Sequence, residues 1–428
     1  MLSDCTLFIA QINVFCILAA IEDEMLLIQM ETLDRQMFLS KELYNLLLEN
    51  SKVYYENTKK MLTEYKMNIW ITQLKKERPE FAELHSQVLQ NVSKRISDAY
   101  GHFFKRCKEK KKGKKVKVGF PRYKNFVSSL TYPQTKGFKI EKKKVELSKI
   151  GGINFVNHRE IEGKVKTCTI KKTKSQKWNI TISVEKNDKP FKSNNKEKVG
   201  IDLGINKYAT LSNGEILQNK RITKKDKKKL KKLQRTISRR KKGSKKRKKA
   251  VVKFAKKCEH IANIKNDFLH KLSYNIVNSY SFIAYEELNI TEMLKNHRFA
   301  ESISEESWRK LIDYILYKAA SAGCVCVGVN PKDTTKTCSE CGNVQDMPLS
   351  ERIFHCRRCG MSMDRDLNAS INILRLGIKK YLTTSGQGES HAFGDIIRPQ
   401  LQEADVAERG TILGVFNQKA PLEAPTFR

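Results

Sequence analysis

Residues 199–204 read VGIDLG, a short apolar run that carries one acidic residue, Asp202. A second apolar run at 282–285 is followed at once by Glu286, and a third spans 324–329. Segments with helical spacing of apolar residues separate these runs, and strands that alternate with helices are typical of an α/β sheet. A third acid, Asp366, opens the last helical pattern of the chain. The sequence therefore predicts an α/β core in which three acids on separate elements converge.

Converging carboxylates repel one another and need cations between them. Oxygen ligands favour Mg²⁺ or Mn²⁺, and two such ions can activate water and stabilise the leaving oxygen of a phosphodiester. We therefore predict that Asp202, Glu286 and Asp366 are catalytic metal ligands of a nuclease. The alternative is that all three are unrelated structural or capping acids.

Four cysteines form two tight pairs, Cys338-x2-Cys341 and Cys356-x2-Cys359, and each pair is followed by glycine. Four thiolates at this spacing are typical of a closed, structural Zn²⁺ site. His355 is adjacent but surplus to four ligands. A redox dithiol would need only one pair. The other seven of the 11 cysteines are scattered, which favours a reducing compartment.

The chain carries 83 Lys and Arg against 46 Asp and Glu, a formal net charge of +37. An excess of this size opposes compact folding unless a polyanion neutralises it, and nucleic acid is the obvious candidate. A solubilising surface rarely needs such one-sided charge. An anionic membrane is disfavoured, because the basic runs lack the alternating apolar face of an interfacial helix.

The basic residues concentrate in two segments, 105–117 and 221–257. Apolar residues keep helical spacing through the second segment, which favours a helix along a phosphate backbone over a disordered arm. Aromatic and basic residues alternate after the first, a pattern that suits stacked bases. The alternative, which is the more common one for any single aromatic residue, is that Phe120 and Tyr132 pack the barrel. The predicted nucleic-acid contacts are Lys114, Lys115, Arg122, Tyr123, Lys124, Arg235, Arg239, Arg240, Lys245, Lys246 and Arg247.

In the first half of the chain, the spacing of apolar residues changes from that of a helix to that of a strand. Residues 33–107 show helical spacing and predict an all-α block of about three helices. Between 138 and 184 apolar residues alternate with lysines, which predicts a small antiparallel barrel. The apolar run at 7–21 is too short to span a bilayer and lacks the preceding positive charge of a signal peptide.

The motifs together, in their order along the chain, resemble the TnpB family of transposon-encoded RNA-guided nucleases, relatives of compact type V CRISPR effectors. The matching segments cover roughly residues 33–376 and read GFPR (119–122), TYPQ (131–134), GIDLG (200–204), SRR (238–240), HKLS (270–273), EEL (286–288), VNP (329–331), TCSECG (337–342) and DRDLNA (364–369).

The resemblance implies a guide RNA, a DNA target, active-site Mg²⁺ or Mn²⁺, one structural Zn²⁺ and DNA cleavage. Asp202, Glu286 and Asp366 match the family's three catalytic acids, with Glu287 and Asp364 as neighbours that could be confused with them. It implies these parts: N-terminal extension or barrel strand, 1–32; helical recognition lobe, 33–107; wedge-like β-barrel, 108–190; RNase H-like (RuvC-like) core, 191–330; zinc ribbon, 331–363; last core helix, 364–380; disordered tail, 381–428.

The sequence departs from the family pattern at its start. Members usually begin with a basic strand that completes the barrel, whereas residues 1–28 are apolar and mildly acidic. Either this segment supplies a different strand or the barrel is incomplete. Two other functions stay open: a guided DNA-binding repressor or cleavage-deficient copy, and a strand-transferring transposase. The expected location is the cytoplasm and nucleoid in a prokaryote, or the nucleus in a eukaryotic or viral setting. Membrane binding is not expected, and the motifs leave monomer or dimer open.

Overall fold

The computed structural model describes residues 13–21, 27–156, 160–186, 196–219, 222–295, 300, 306–348 and 350–385. The chain divides into two compact units, Met1–Lys189 and Pro190–Arg428.

The first unit contains the predicted helical block. Its helices are α1 (Leu27–Thr58), α2 (Glu64–Glu77) and α3 (Ser86–Lys111), with a 3₁₀ turn at Pro79–Glu83. The Thr63 hydroxyl accepts a hydrogen bond from the N–H of Lys66 and so caps α2. Helix α1 begins six residues before the predicted boundary at residue 33.

A seven-stranded antiparallel sheet follows the helices. Its strands are β1 (Asn13–Ile21), β2 (Ser129–Tyr132), β3 (Phe138–Glu141), β4 (Lys144–Leu147), β5 (Gly151–Val156), β6 (Lys164–Lys172) and β7 (Trp178–Lys186). They lie in the order β2-β6-β7-β1-β5-β4-β3.

Strand β1 lies inside this sheet. It pairs with β7 from Asn13 to Ala20 and with β5 at Ala20 and Ile21. The atypical N-terminal segment therefore supplies a strand, the first of the two alternatives that its sequence left open. The described order ends at β2 and β3, so closure of the sheet into a barrel stays a prediction.

The helices and sheet of the first unit share one apolar core, which includes Leu43 and Leu47 of α1 and Ile180 and Ile182 of β7. A polar contact adds to it: the Arg95 guanidinium donates to the carbonyl of Ser129 at 3.3 Å. The predicted lobe and barrel thus pack together, although the sequence treats them as separate parts.

The second unit is built on a five-stranded mixed sheet. Its strands are β8 (Lys198–Leu203), β9 (Ala209–Leu211), β10 (Ile216–Leu217), β11 (Phe282–Glu286) and β12 (Val325–Val329), in the order β10-β9-β8-β11-β12. Strands β8, β9 and β10 are antiparallel, whereas β8, β11 and β12 run parallel. The predicted α/β class is confirmed.

The helices of this unit are α4 (Lys224–Ser238), α5 (Lys245–Ser279), α6 (Ile290–Met293), α7 (Trp308–Ala322) and α8 (Arg365–Ser385). Three of them, α5, α7 and α8, cover the two faces of the sheet. Helices α5 and α7 pack on one apolar cluster and α8 on another. Gly200 permits the close approach of α8, because a Cβ there would collide with the backbone at Ser370 and Leu374.

A small cysteine-containing hairpin, β13 (Ile353–His355) and β14 (Ser362–Asp364), joins β12 to α8. Helix α8 continues to Ser385, so residues 381–385 are helical and the prediction of a disordered tail from 381 is wrong for them. Its remainder, 386–428, lies outside the described residues. None of the helices among the described residues combines the length and apolar character that a membrane span requires.

Candidate active site and metal centre

Two of the predicted acids lie side by side on parallel strands. Ile201 of β8 pairs with Tyr285 of β11, so the next residues along the chain, Asp202 and Glu286, are neighbours at one edge of the sheet. Both are buried, with 9% and 7% of their surfaces exposed. Burial of two adjacent carboxylates costs free energy unless a cation binds them.

Asp366 stands in the first turn of α8, near enough to Asp202 for its charge to raise the pKa of that carboxyl. Its neighbour Asp364 has a different role: its carboxylate accepts hydrogen bonds from the backbone N–H groups of Asp366 at 3.0 Å and Leu367 at 3.2 Å. Asp364 therefore caps the helix, whereas Asp366 does not: its charge acts on Asp202, and its Oδ1 lies 3.3 Å from the Arg365 guanidinium. This geometry favours the choice of 366 made on sequence grounds.

Glu287 alternates to the other face of its strand. It is exposed, and its side chain lies over Gly328 of β12, where any Cβ would collide with it. Successive residues of a strand point to opposite faces. The geometry therefore favours Glu286 over Glu287 at the site. We call Asp202, Glu286 and Asp366 the carboxylate triad.

Burial and the proximity of like charges raise the pKa values of two members of the triad. Burial, followed by repulsion from Glu286 and Asp366, raises the pKa of the Asp202 carboxyl well above its usual value. Burial also raises the pKa of Glu286, although a hydrogen bond from Thr334 acts the other way. Hard carboxylate oxygens that are buried together fit divalent Mg²⁺ or Mn²⁺.

Two residues at the site were missed in the sequence. The Thr334 hydroxyl donates to Glu286 Oε1 at 2.6 Å. Lys207 Nζ lies 2.6 Å from Asp364 Oδ2 and 3.8 Å from Asp366 Oδ2. Thr334 follows shortly after the Asn330-Pro331 pair, which is part of the family motif and marks this stretch in the sequence. Lys207 carried no signal, because nothing in the chain predicts which lysine lies near a carboxylate.

The four cysteines come together as predicted. The Sγ atoms of Cys338, Cys341, Cys356 and Cys359 all lie within 4.8 Å of one another, and we call them the cysteine cluster. Two Sγ–Sγ distances are 3.7 and 3.6 Å. A tetrahedron with Zn–S bonds of about 2.3 Å has edges of about 3.8 Å, so the cluster fits Zn²⁺.

The backbone around the cysteine cluster repeats the same turn twice. Gly342 N–H donates to the Cys338 carbonyl and Gly360 N–H to that of Cys356, each at 3.0 Å. Both glycines have φ above 70°, a conformation that favours glycine. The backbone N–H of Cys359 is the main cause that lowers the pKa of the Cys356 thiol to about 6, which favours a thiolate. His355 is exposed and lies outside the cluster.

The predicted contacts of the first unit divide into exposed and packed residues. Lys114, Lys115, Arg122 and Tyr123 are exposed. By contrast, the Asn45 side chain holds the backbone of Lys124. The N–H of Lys124 donates to Asn45 Oδ1 at 2.8 Å, and the Asn45 amide donates to the carbonyl of Lys124 at 3.0 Å.

The aromatic residues of this region mostly pack. Phe120 makes edge contacts with Tyr100 and Phe103, and Tyr132 is fully buried. The packing interpretation is therefore confirmed for Tyr132, whereas Phe120 is 40% exposed and packs against α3 rather than in the sheet. Lys52 of α1, which the sequence analysis missed, lies 4.1 Å above the ring of exposed Tyr123.

Helices α4 and α5 form a helical pair joined by a turn at Gly243, and we call residues 224–257 the basic hairpin. Arg235 and Arg239 line a shallow exposed groove on α4 together with Lys231, Gln234 and Ser238. Lys245 and Lys246 are exposed at the start of α5.

Two predicted contacts in the basic hairpin hold its turn. The Arg240 guanidinium donates to the carbonyl of Lys246, and that of Arg247 donates to the carbonyl of Arg240 at 3.2 Å. These two arginines are therefore at least partly structural, whereas the arginines of the groove face solvent.

Two family models match this chain, one over the segment that contains Asp202 and Glu286 and one over the segment that contains the cysteine cluster and Asp366. A family model described as a probable transposase matches residues 181–297, and one described as a Cas12f1-like TNB domain matches residues 308–373. A Streptomyces pristinaespiralis protein named as an RNA-guided DNA endonuclease is 30% identical over 364 residues, which cover 83% of each chain.

Two further relatives match. InsQ of Escherichia coli (strain K12), also named as an RNA-guided DNA endonuclease, is 28% identical over 78% of this chain and 85% of its own. The CRISPR-associated endodeoxyribonuclease Cas12f1 of Sulfoacidibacillus thermotolerans is 34% identical over 30% of this chain and 31% of its own.

Proposed function

Since the chain belongs to the TnpB family, we propose that it is a transposon-encoded, RNA-guided DNA endonuclease that depends on divalent metal. The observation that carries this proposal is the carboxylate triad, in which the buried Asp202 and Glu286 and the half-buried Asp366 come from three separate elements. A repressor that had lost cleavage would have no need to keep three such acids together.

The architecture of the second unit supports an RNase H-like, RuvC-like core. Three antiparallel strands are followed by two parallel ones, and acids stand on the first strand, on the fourth and on the last helix. The cysteine cluster between β12 and α8 would be the zinc ribbon inserted in that core. In the first unit, the helices would be the recognition lobe and the antiparallel sheet the wedge-like barrel.

The triad would hold two Mg²⁺ or Mn²⁺ ions. Bound there, such ions activate water for attack on a phosphodiester and stabilise the leaving oxygen. Asp202 and Glu286 would provide carboxylate ligands from the ends of two paired strands, and Asp366 would provide a carboxylate ligand from the first turn of α8. Burial of Asp202 and Glu286 would restrict the water around the reacting phosphate.

The basic hairpin supports a nucleic-acid partner. Five consecutive basic residues, 245–249, stand in the first turns of α5, where the helix dipole is already positive. Cations are unfavourable there unless an anion binds, and a phosphate backbone supplies anions at regular spacing. We propose that the guide RNA and the target DNA are these partners, and that base pairing with the guide gives the sequence specificity.

Reconstitution tests the proposal. The full chain, expressed together with the RNA encoded beside its gene, would be mixed with Mg²⁺ and matched target DNA that carries a library of flanking motifs. We expect cleavage of the matched target, loss of cleavage in EDTA and recovery on adding Mg²⁺. Asp202→Asn should bind RNA as the wild type does and leave the DNA intact.

Controls separate the alternatives. A mismatched guide should prevent cleavage, and protein stripped of RNA should not cut. Sequence-specific cutting without RNA would leave a plain metal nuclease. Binding of the target without cleavage would support the guided repressor, and joining of DNA ends without RNA would support the transposase.

A further inference from the structure

Glu286 has a partner in a segment with no assigned function, the stretch from 330 to 337 between β12 and the cysteine cluster. Thr334 in this stretch is 2% exposed, and its hydroxyl lies 2.6 Å from Glu286 Oε1. The same hydroxyl lies 3.2 Å from the carbonyl of Pro331. A hydroxyl has only one proton, and the shorter contact directs it to Glu286 rather than to Pro331. A buried donor held in this way restricts the carboxylate that it contacts.

Helix α8 holds Thr334 in turn. The Asn372 side-chain amide donates to the carbonyl of Thr334 at 3.0 Å and to that of Thr337 at 2.7 Å. One turn earlier on the same face, Asn368 donates to the Thr337 carbonyl at 2.8 Å and accepts from the N–H of Ser339 at 2.8 Å. Both asparagines are buried, with 5% of the surface of Asn372 and 0% of that of Asn368 exposed.

These contacts connect two members of the triad through one helix. Asp366 stands in the first turn of α8, and Asn368 and Asn372 follow on the next turns. The helix therefore fixes Asp366 directly and Glu286 through Asn372 and Thr334. The segment 330–337, which is hydrogen-bonded to α8, also leads directly into Cys338, the first residue of the cysteine cluster.

We propose that Thr334 is a positioning residue that sets the orientation of Glu286 toward the divalent metal, and that Asn372 acts through it. This inference rests on the proposed function of the triad. Hydrogen-bond partners of metal-binding carboxylates orient them, and their loss typically weakens metal binding or activity about 10- to 100-fold. Thr334 acts through its contact with Glu286, so it is a positioning residue and not a catalytic one.

Thr334→Val tests the proposal, because valine keeps the shape and removes the hydroxyl. The half-saturating Mg²⁺ concentration for cleavage should rise about 10-fold or more, with a smaller fall in the rate at saturating Mg²⁺. Thr334→Ser keeps a hydroxyl and should restore the Mg²⁺ dependence to within about threefold. Thr335→Val, at the adjacent half-buried threonine, is the matched control and should behave as wild type.

A second measurement does not depend on cleavage. Binding of Mn²⁺ to the RNA-bound protein, followed by electron paramagnetic resonance, should weaken in Thr334→Val and recover in Thr334→Ser. Zinc content should stay at that of the wild type in all variants, which separates loss of metal affinity from unfolding of the cysteine cluster. Asn372→Ala should weaken Mn²⁺ binding too, and by less than expected for independent effects when combined with Thr334→Val.

The outcomes distinguish this inference from the proposed function. If the wild type cleaves and binds Mn²⁺ but Thr334→Val matches it in both assays, Thr334 has no positioning role. The same conclusion follows if Thr334→Ser is as impaired as Thr334→Val. If the wild type itself neither cleaves matched DNA nor binds Mn²⁺ at the triad, the proposed function fails first.

Discussion

Asp364 and Asp366 are two residues apart, yet their contacts differ. Asp364 caps α8 and pairs with Lys207 at 2.6 Å, whereas Asp366 lies 3.8 Å from Lys207 and 3.3 Å from the Arg365 guanidinium, and its charge helps to raise the pKa of Asp202. Burial opposes it, but the hydrogen bond from Lys207 and those from the helix N–H groups lower the pKa of Asp364 overall. An acid stabilised as a charged cap is already satisfied by protein donors, so it is a poor candidate for a metal ligand.

Substitution of these two acids should therefore give opposite results. Asp366→Asn should abolish cleavage, because it removes a charged metal ligand. Asp364→Asn should retain cleavage within about threefold, because asparagine caps helices nearly as well as aspartate. Single-turnover cleavage by the guide-loaded variants measures both. An active Asp366→Asn paired with an inactive Asp364→Asn would reverse the assignment.

The metal-free protein should lose stability as pH rises, because of Asp202. Burial and repulsion raise the pKa of this carboxyl in the folded chain above its usual value of about 4. Below about pH 4 both states are protonated. Above it the unfolded chain releases the proton while the folded chain retains it, so the free energy of unfolding falls until the raised pKa is passed.

Asp202→Asn removes this ionisation. In buffer without Mg²⁺, the Tm of the variant at pH 7 should exceed that of the wild type. The increase should be about 2–4 °C for each kcal/mol by which loss of the buried, repelled carboxyl raises the free energy of unfolding. Its Tm should also vary less between pH 4 and 8. Scanning calorimetry measures both, with added Mg²⁺ as the control that stabilises the wild type more than the variant. Equal or lower stability of the variant would contradict the account.

At the scale of elements, the two glycine-ended turns and the β13–β14 hairpin form a segment with a small apolar core of its own, Cys338, Phe354 and Cys356. A segment of this size depends on metal for its fold. We predict one Zn²⁺ per chain. Cys338→Ser should lower zinc content and solubility, as measured by elemental analysis and by recovery after centrifugation.

Cys107→Ser is the matched control for this prediction. Cys107 is a half-buried cysteine of α3 that lies outside the cysteine cluster, so its substitution should leave zinc content unchanged. Freshly purified, reduced wild-type protein without zinc would refute the site.

The basic hairpin gives a second prediction for an element. Arg235 and Arg239 face an exposed groove, so Arg235→Gln with Arg239→Gln should weaken RNA binding and leave Tm nearly unchanged. The slope of log K against log salt should become shallower by roughly 0.7 for each lost phosphate contact. Filter binding at several salt concentrations measures the slope.

Arg309→Gln is the control for the hairpin. It removes an exposed arginine of α7 that is paired with Asp313 at 3.1 Å, and it should not change the salt slope. An unchanged slope in the double hairpin variant would show that RNA does not bind the groove.

At the scale of the whole molecule, the net charge of +37 dominates. Self-repulsion of this size is relieved when a polyanion binds, so the purified protein should carry RNA, seen as an ultraviolet absorbance ratio typical of a nucleoprotein. Nuclease treatment in low salt should then lower both Tm and solubility. Protein that purifies free of nucleic acid at low salt and stays soluble would contradict this.

The sequence by itself predicted the α/β class, the helical block, the three acids, the four thiolates and the helical character of the basic segment. These are properties of periodicity, spacing and charge, which are local in the chain. The family resemblance added the expectation of a guide, and the comparisons confirmed the family.

Only the tertiary structure placed β1 between β7 and β5, separated the cap Asp364 from Asp366, and brought Thr334 to Glu286. It also showed that Phe120 and Tyr132 pack and that Arg240 and Arg247 hold a turn. Such facts depend on which distant residues meet. Residues 286 and 334 are 48 positions apart, and no local pattern of hydrophobicity or charge records which hydroxyl a folded chain brings to a carboxylate.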